Sequence, residues 1–305
     1  MKDTGKRMEP LAPAVVITGA TQGIGRALAA EFARDGHTLV LVARNETKLA
    51  ATARSLTEAH GVGVKVFACD LGSPESCADV ENALRRFGLY ADILVNNAAL
   101  MTAGFFQDAD PAKLRQIVDL DVQAVVDLTR RFLPGMIARQ KGGVLNVASV
   151  EGFMPIPYQA TYAAAKAFVL SFTRAIAYET RGTGVRVSAL APGATTTAMH
   201  AKAGAEHSRY VQLFPVMAPE DVARIGYRKF KRGKKIIVTG WFNRLSVLAQ
   251  RFTPDFALVP FMGWLFRVRD AQGNLQMPRE ASAPKPAKGR VPVEPASGDD
   301  PSLAA

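Results

Sequence analysis

Residues 15–25 read VVITGATQGIG, and this stretch decides the fold. Val15, Val16 and Ile17 form a short apolar run that stops at Thr18 and Gly19, and a helical pattern follows from Ile24 to Asp35. Between a strand and a helix the three glycines take separate tasks. Gly19 permits the tight turn, Gly23 lets the backbone approach a pyrophosphate, and Gly25 allows the helix to pack closely. Free N–H groups at the helix start then face the phosphates, with Thr21, Gln22 and Ile24 in the same turn. The spacing is TGxxxGxG rather than GxGxxG, so its meaning comes from the flanking strand and helix.

Outward from this turn the alternation repeats. Residues 38–42, 64–68, 92–95, 144–147 and 185–190 read as strands, and residues 44–60, 73–87, 111–139 and 161–181 as helices. Strands that are apolar throughout, alternating with helices, predict a parallel sheet covered on both faces. That is a Rossmann-type, doubly wound α/β fold. Residues 193–214 are small and polar and are expected to form a loop with short helices over the carboxyl ends of the strands, where such sheets bind ligands. A helix over 219–232 beginning at Pro219, then a strand over 235–239, complete the pattern. The expected organisation is a lead over 1–13, one dinucleotide-binding and catalytic domain over 14–240, hydrophobic basic helices over 241–277, and a disordered tail rich in proline, alanine and lysine over 278–305.

The chain has 305 residues, 48% of them hydrophobic, as in a globular protein. No apolar run reaches the roughly 18 residues that span a bilayer. The basic residues before the first apolar stretch imitate a secretory signal, but that stretch is short, is interrupted by Pro10 and Pro13, and runs directly into the glycine turn. It reads as a first strand, and a cytoplasmic protein is expected. Cys69 and Cys77 make no disulfide framework, the histidines His37, His60, His200 and His207 are scattered, and no metal site is assigned. The net charge of +11 comes almost wholly from Arg224, Arg228, Lys229, Lys231, Arg232, Lys234, Lys235, Arg244, Arg251, Arg267 and Arg269, a stretch whose only acid is Asp255.

Tyr162 and Lys166 lie four apart in YAAAK, with Ser149 upstream. Residues at i and i+4 share a helix face, which sets an ammonium beside a phenol. A phenol titrates near 10, and bringing it near 7 takes roughly 4 kcal/mol. One ammonium at about 4 Å supplies about that much at an effective dielectric near 20. The pair is an acid–base device, and with the glycine turn it points to a nicotinamide-dependent carbonyl reductase or alcohol dehydrogenase.

TGATQGIG, the Asn96-Asn97-Ala98-Ala99 run, Ser149 and YAAAK occur together and in order, and over residues 14–239 the chain resembles the short-chain dehydrogenase/reductase family. The resemblance implies that Tyr162 is the catalytic acid or base, that Ser149 holds the substrate oxygen, and that Lys166 binds the nicotinamide ribose and lowers the tyrosine pKa. It also implies a cofactor contact near Asn97. Two departures stand out. Ala99 replaces the glycine of the family's NNAG, and Asp121 stands where the family has an asparagine that joins the lysine to solvent through a helix irregularity and a water. An ionised Asp121 cannot donate a hydrogen bond, which alters the relay.

Cofactor choice turns on the residue after the second strand. A carboxylate there binds ribose hydroxyls and repels a 2′-phosphate. This chain has Arg44, a planar fork suited to phosphate, so NADP(H) is expected. Asp70 resembles the residue that reads adenine, with Leu71 beside it; capping the following helix explains Asp70 equally. Thr195 and Thr197 after Pro192-Gly193 resemble the segment over the nicotinamide. Glu151, Phe153, Met154, Tyr158, Met199, Phe214 and Met217 are the expected substrate wall, apolar enough for a hydrophobic carbonyl compound.

The stretch from Trp241 to Val268 interleaves aromatics with arginines. It reads either as an element lying on a membrane surface or as helices capping the cleft or a subunit interface. Nucleic acid is not an expected partner. The family's use of the helices over 111–139 and 161–181 implies a homodimer or homotetramer. The alternative to a reductase is a nucleotide-binding or membrane-associated regulatory protein on the same fold, without turnover; an epimerase or dehydratase is a third reading.

Overall fold

A computed structural model describes residues 11–269 and 273–278; the remainder of the expected lead and of the tail lies outside the described residues. Seven parallel strands form one sheet in the order β3-β2-β1-β4-β5-β6-β7. In chain order they are β1 Ala12–Thr18, β2 Leu39–Ala43, β3 Val64–Ala68, β4 Leu89–Asn96, β5 Gly143–Val147, β6 Arg186–Ala191 and β7 Ile236–Val238. The helices are α1 Gly23–Arg34, α2 Glu46–His60, α3 Ser76–Arg86, α4 Pro111–Val118, α5 Ala124–Ala138, α6 Ala160–Glu179, α7 Ala198–Ala203, α8 Arg209–Leu213, α9 Pro219–Lys231, α10 Trp241–Ala249 and α11 Asp255–Phe266.

The strand alternation sends side chains to two cores. Val15, Ile17, Leu39 and Leu41 meet Leu28, Phe32, Leu49 and Phe230 on one face, under α1, α2 and α9. Val16, Val40, Val42 and Val144 meet Val80, Leu84, Leu128 and Met136 on the other, under α3 and α5. From Ala14 to Ile17 both faces of β1 are buried, which is why these residues are apolar with little alternation.

Several boundaries differ from the sequence reading: β1 begins at Ala12, inside the expected lead, α3 begins at Ser76, and three further differences have a clear cause. β4 starts at Leu89 because Leu89, Tyr90 and Ala91 pair with Ala12, Pro13 and Ala14, beyond a register shift at which Asp92 is the extra residue of β4. α2 starts at Glu46 because the Asn45 side chain accepts from the Lys48 amide at 2.8 Å and caps the helix. The expected helix over 111–139 is divided: a π-helical turn, Asp119–Gln123, separates α4 from α5. Such bulges cluster at functional sites, and this one carries Asp121.

Candidate functional site

Strand order reverses between β1 and β4, so a crevice opens at their carboxyl ends. Thr18, absent from the sequence-derived site, ties its walls together. Its hydroxyl donates to the Val95 carbonyl at 3.3 Å and accepts from the amides of Asn97 and Ala98 at 2.9 and 3.0 Å. The Asn97 side chain donates to the carbonyls of Thr18 and Gly19 at 2.9 and 3.1 Å, and so shapes the turn as well as lining the groove. Gly19 has φ +65°, and a Cβ there would meet Ala98 Cα at 2.8 Å; Gly23 has φ +54° and faces the Thr197 side chain. Gly25 packs against the Gly19 carbonyl and the Asn97 amide. The α1 N-terminus has no side-chain cap, which leaves its first amides to a ligand.

The groove encloses about 400 Å³. Gly19, Thr21, Gln22, Gly23, Ile24, Gly25, Arg44, Asp70, Leu71, Asn97, Tyr162, Lys166 and Thr197 all stand on its wall. Thr195 does not: it is buried, and its hydroxyl donates to the Gly193 carbonyl at 3.0 Å, so it braces the loop instead. Arg44 lies 3.9 Å from Asp70 with both side chains largely exposed, a weak pair that leaves the guanidinium available. Asp70 accepts from the Gly72 amide at 3.1 Å, and α3 begins only at Ser76, so Asp70 does not cap that helix. Lys48 and Lys202 add positive charge to the wall. Lys48 was readable, since it follows Arg44 at i+4; Lys202 arrives on the short α7, and no spacing announces it.

At the inner end, α6 presents Tyr162 and Lys166, both buried. The Lys166 ammonium sits 2.9 Å from Asp121 Oδ2 and donates to the Val147 carbonyl at 3.3 Å. Asp121 Oδ1 accepts from the Leu100 amide at 2.8 Å. Ser149 opens a 3-10 turn, its Oγ accepting from the Glu151 amide at 3.2 Å.

The electrostatics depart from the sequence reading. Burial holds the Tyr162 phenol well above its ordinary value, the carboxyls of Glu151 and Asp121 push it further, and Ser149 pulls it down. Lys166 does not bring it near 7, because its charge is matched by Asp121 at hydrogen-bonding distance. Burial also raises Asp121, against the pull of Lys166. Glu151 is pushed by burial to about 8, with Lys166 opposing, and its Oε2 has no hydrogen-bond partner among the described residues.

Glu151 therefore makes stability pH-dependent. Between its ordinary value of 4.5 and about 8 the folded state holds a proton that the unfolded state lacks, so stability falls as pH rises through that window. Glu151→Gln is expected to remove that contribution to the slope, worth roughly 5 kcal/mol across the window. Urea unfolding on either side of the window checks it, and an unchanged slope contradicts it.

The expected substrate wall is only partly assembled. Met199 packs with Tyr162, Met101 and Ala205. Met154 and Phe214 pack with Tyr210 and with Leu258, Met262, Leu265 and Phe266 of α11. Met217 braces the loop by a bridge to Thr195. Phe153 points elsewhere: it packs with Val169 and Phe172, with the Arg174 guanidinium 5.5 Å from its ring. Tyr210, which sequence reading missed, accepts from the Ala194 amide at 2.9 Å and stacks on Phe266 with 4.5 Å between ring centroids. Tyr158, at φ +69°, meets Phe105 edge-on in a second cavity of about 410 Å³ that shares Lys202 with the groove.

Known proteins share this arrangement. Residues 13–208 match the family described as short chain dehydrogenase. A very-long-chain 3-oxoacyl-CoA reductase-B of Danio rerio is 34% identical over 196 residues, which cover 63% of this chain and 62% of that protein. An inactive hydroxysteroid dehydrogenase-like protein 1 of Homo sapiens is 30% identical over 250 residues, 80% of this chain and 73% of that protein. A short-chain dehydrogenase from Sphingobium yanoikuyae, solved in complex with NADPH, superposes with a TM-score of 0.70 at 32% identity, covering 79% of this chain and 94% of that one. The chain spans about three fifths of the length of the reductases it matches.

Proposed function

The chain belongs to the short-chain dehydrogenase/reductase family, and from that premise we propose that it is an NADP(H)-dependent oxidoreductase interconverting a hydrophobic ketone or aldehyde and its alcohol. The observation that carries the reading is the buried Tyr162 and Lys166 pair, with Ser149 nearby, at the inner end of a glycine-lined groove. The residues fit a dinucleotide phosphate. Side chains at Gly19 and Gly23 would intrude on the turn, the first α1 amides are uncapped, and Arg44, Lys48 and Lys202 are cationic.

Bound there, the nicotinamide supplies or accepts the hydride. Tyr162 gives its proton to the carbonyl oxygen during reduction and takes one from the alcohol during oxidation. Ser149 donates a hydrogen bond to that oxygen, and Lys166 would hold the nicotinamide ribose. Asn97 keeps the turn in register, and the α1 amides with Thr21, Gln22 and Thr197 meet the phosphates. Leu71 and Asp70 bound the adenine end.

The hydrophobic substrate rests on Met101 and Met199, which pack around Tyr162, and on the name of the Danio rerio relative. Self-association through α5 and α6 belongs to the same reading, Tyr178 on α6 being 64% exposed. One observation favours a non-catalytic role: Asp121 occupies the charge of Lys166. The Asp121→Asn experiment in the Discussion separates the two.

Arg44 sets the cofactor. Arg44→Asp is expected to raise the KM for NADPH by about a hundredfold, the effect of one lost charge-assisted phosphate contact plus repulsion, and to leave that for NADH unchanged or lower. Steady-state kinetics with both cofactors decide it; an unaltered ratio of the two contradicts the assignment.

A further inference from the structure

One end of the molecule, built by α10 and α11, has a surface unlike the rest. Trp241, Leu245, Leu248, Phe252, Phe256 and Phe261 are all exposed there, Phe252 and Phe256 by 79% and 83%. α11 is apolar on both sides. Its inner face, with Leu258, Met262, Leu265 and Phe266, is buried against Ile156, Ala163, Ala194 and Tyr210, so it closes the cleft wall. Capping the cleft accounts for that inner face and leaves the outer one without a partner among the described residues.

The charges around the outer face narrow what can cover it. Lys229 is held below its ordinary pKa by burial and then by Arg244 and Lys234, which places three cations in mutual repulsion beside α10. Among the described residues Lys229, Lys234, Arg244 and Arg251 have no carboxylate partner. The Arg209 guanidinium lies 4.4 Å from the centroid of Trp264. A second copy placed by a two-fold axis would set these cations against themselves. A nucleic acid would want the aromatics on a polar platform, not on apolar helices. A bilayer of anionic lipids suits both features, apolar side chains entering the headgroup boundary and arginines meeting phosphates. No helix among the described residues is long and apolar enough to cross a membrane, so contact is with one leaflet.

We propose that the α10–α11 end docks on an anionic lipid surface, with Trp241, Phe252 and Phe256 inserted and Arg244, Arg251, Lys229 and Lys234 on lipid phosphates. α11 then lies between the bilayer and the cleft wall, so a substrate dissolved in lipid has a short apolar path past Met154 and Phe214. That second statement rests on the proposed function; the docking does not.

The test is sedimentation of the full chain with phosphatidylcholine vesicles, with and without phosphatidylglycerol. Binding is expected only with phosphatidylglycerol, weakening as salt is raised. Arg244→Ala and Arg251→Ala are each expected to lower the partition coefficient about fivefold. The triple variant Trp241→Ser, Phe252→Ser, Phe256→Ser is expected to lose binding while keeping the thermal unfolding midpoint and the turnover of a water-soluble carbonyl probe. Tyr162→Phe is expected to bind vesicles as the wild type does, which distinguishes failed docking from failed catalysis. Absence of binding to phosphatidylglycerol vesicles, or equal binding to both vesicle types, overturns the proposal. So does light scattering that shows an oligomer dissolved by the triple variant, since the patch is then an interface between copies.

Discussion

Tyr162→Phe is expected to lower kcat for carbonyl reduction by at least about a thousandfold while NADPH affinity changes by less than about threefold. The substitution deletes one hydroxyl and keeps the ring that packs with Met101, Met199 and Ala205, so the fold should not register it. The groove that meets the phosphates is built by the glycine turn, Arg44, Lys48 and Lys202, none of which the phenol supports. Among the described residues Glu151, pushed to about 8 by burial, is a second acid that acts on Tyr162. Retained turnover in the variant would therefore pass the proton role to Glu151. Stopped-flow turnover with a fluorescence titration of NADPH measures both quantities.

Asp121→Asn is expected to move the limb on which alcohol oxidation rises with pH to lower pH by about one to two units. Oxidation needs the phenolate, and Asp121 opposes it twice, by its own charge and by occupying Lys166 at 2.9 Å. One to two units correspond to roughly 1.4 to 2.8 kcal/mol, the size expected of one charge several ångströms from another at an effective dielectric near 20. The direction follows from the sign: removing a negative neighbour stabilises the phenolate and lowers the phenol pKa. The Leu100 amide keeps an oxygen acceptor in the variant, so the π turn is expected to survive. A pH–rate profile of both proteins checks the shift. If neither protein turns over any carbonyl compound although both bind NADPH, the non-catalytic reading stands in place of the reductase.

The sheet was legible because its strands are apolar on both faces and a glycine turn follows the first of them. The groove was legible for the same reason: a turn at φ +65° against Ala98 tolerates no side chain. The π turn was implied at Asp121 by the family resemblance and not by the local residues, since nothing in DLDVQ forbids an ordinary helix; a buried ion pair with Lys166 and the Leu100 amide engage Asp121 from distant parts of the chain. The same long-range contact gives Lys166 a partner at 2.9 Å, where the tyrosine argument had taken it as an unpaired ammonium. Thr18 and Tyr210 were missed because their hydroxyls act on backbone far from them in sequence. The apolar basic segment admitted two readings: the inner face of α11 packs on Ile156, Ala163, Ala194 and Tyr210, and its outer face is exposed, where the proposed lipid contact falls.

The central claim is that a hydride passes between a nicotinamide held in this groove and a carbonyl carbon, with Tyr162 moving the proton. Its most direct test is to incubate the purified chain with NADPH deuterated on the nicotinamide ring and a panel of long-chain 3-oxoacyl thioesters and bulky ketones, then to weigh the alcohols formed. The account predicts deuterium on the carbinol carbon of at least one product, and none with Tyr162→Phe. An alcohol formed without deuterium on that carbon, or formed equally by the variant, would contradict it.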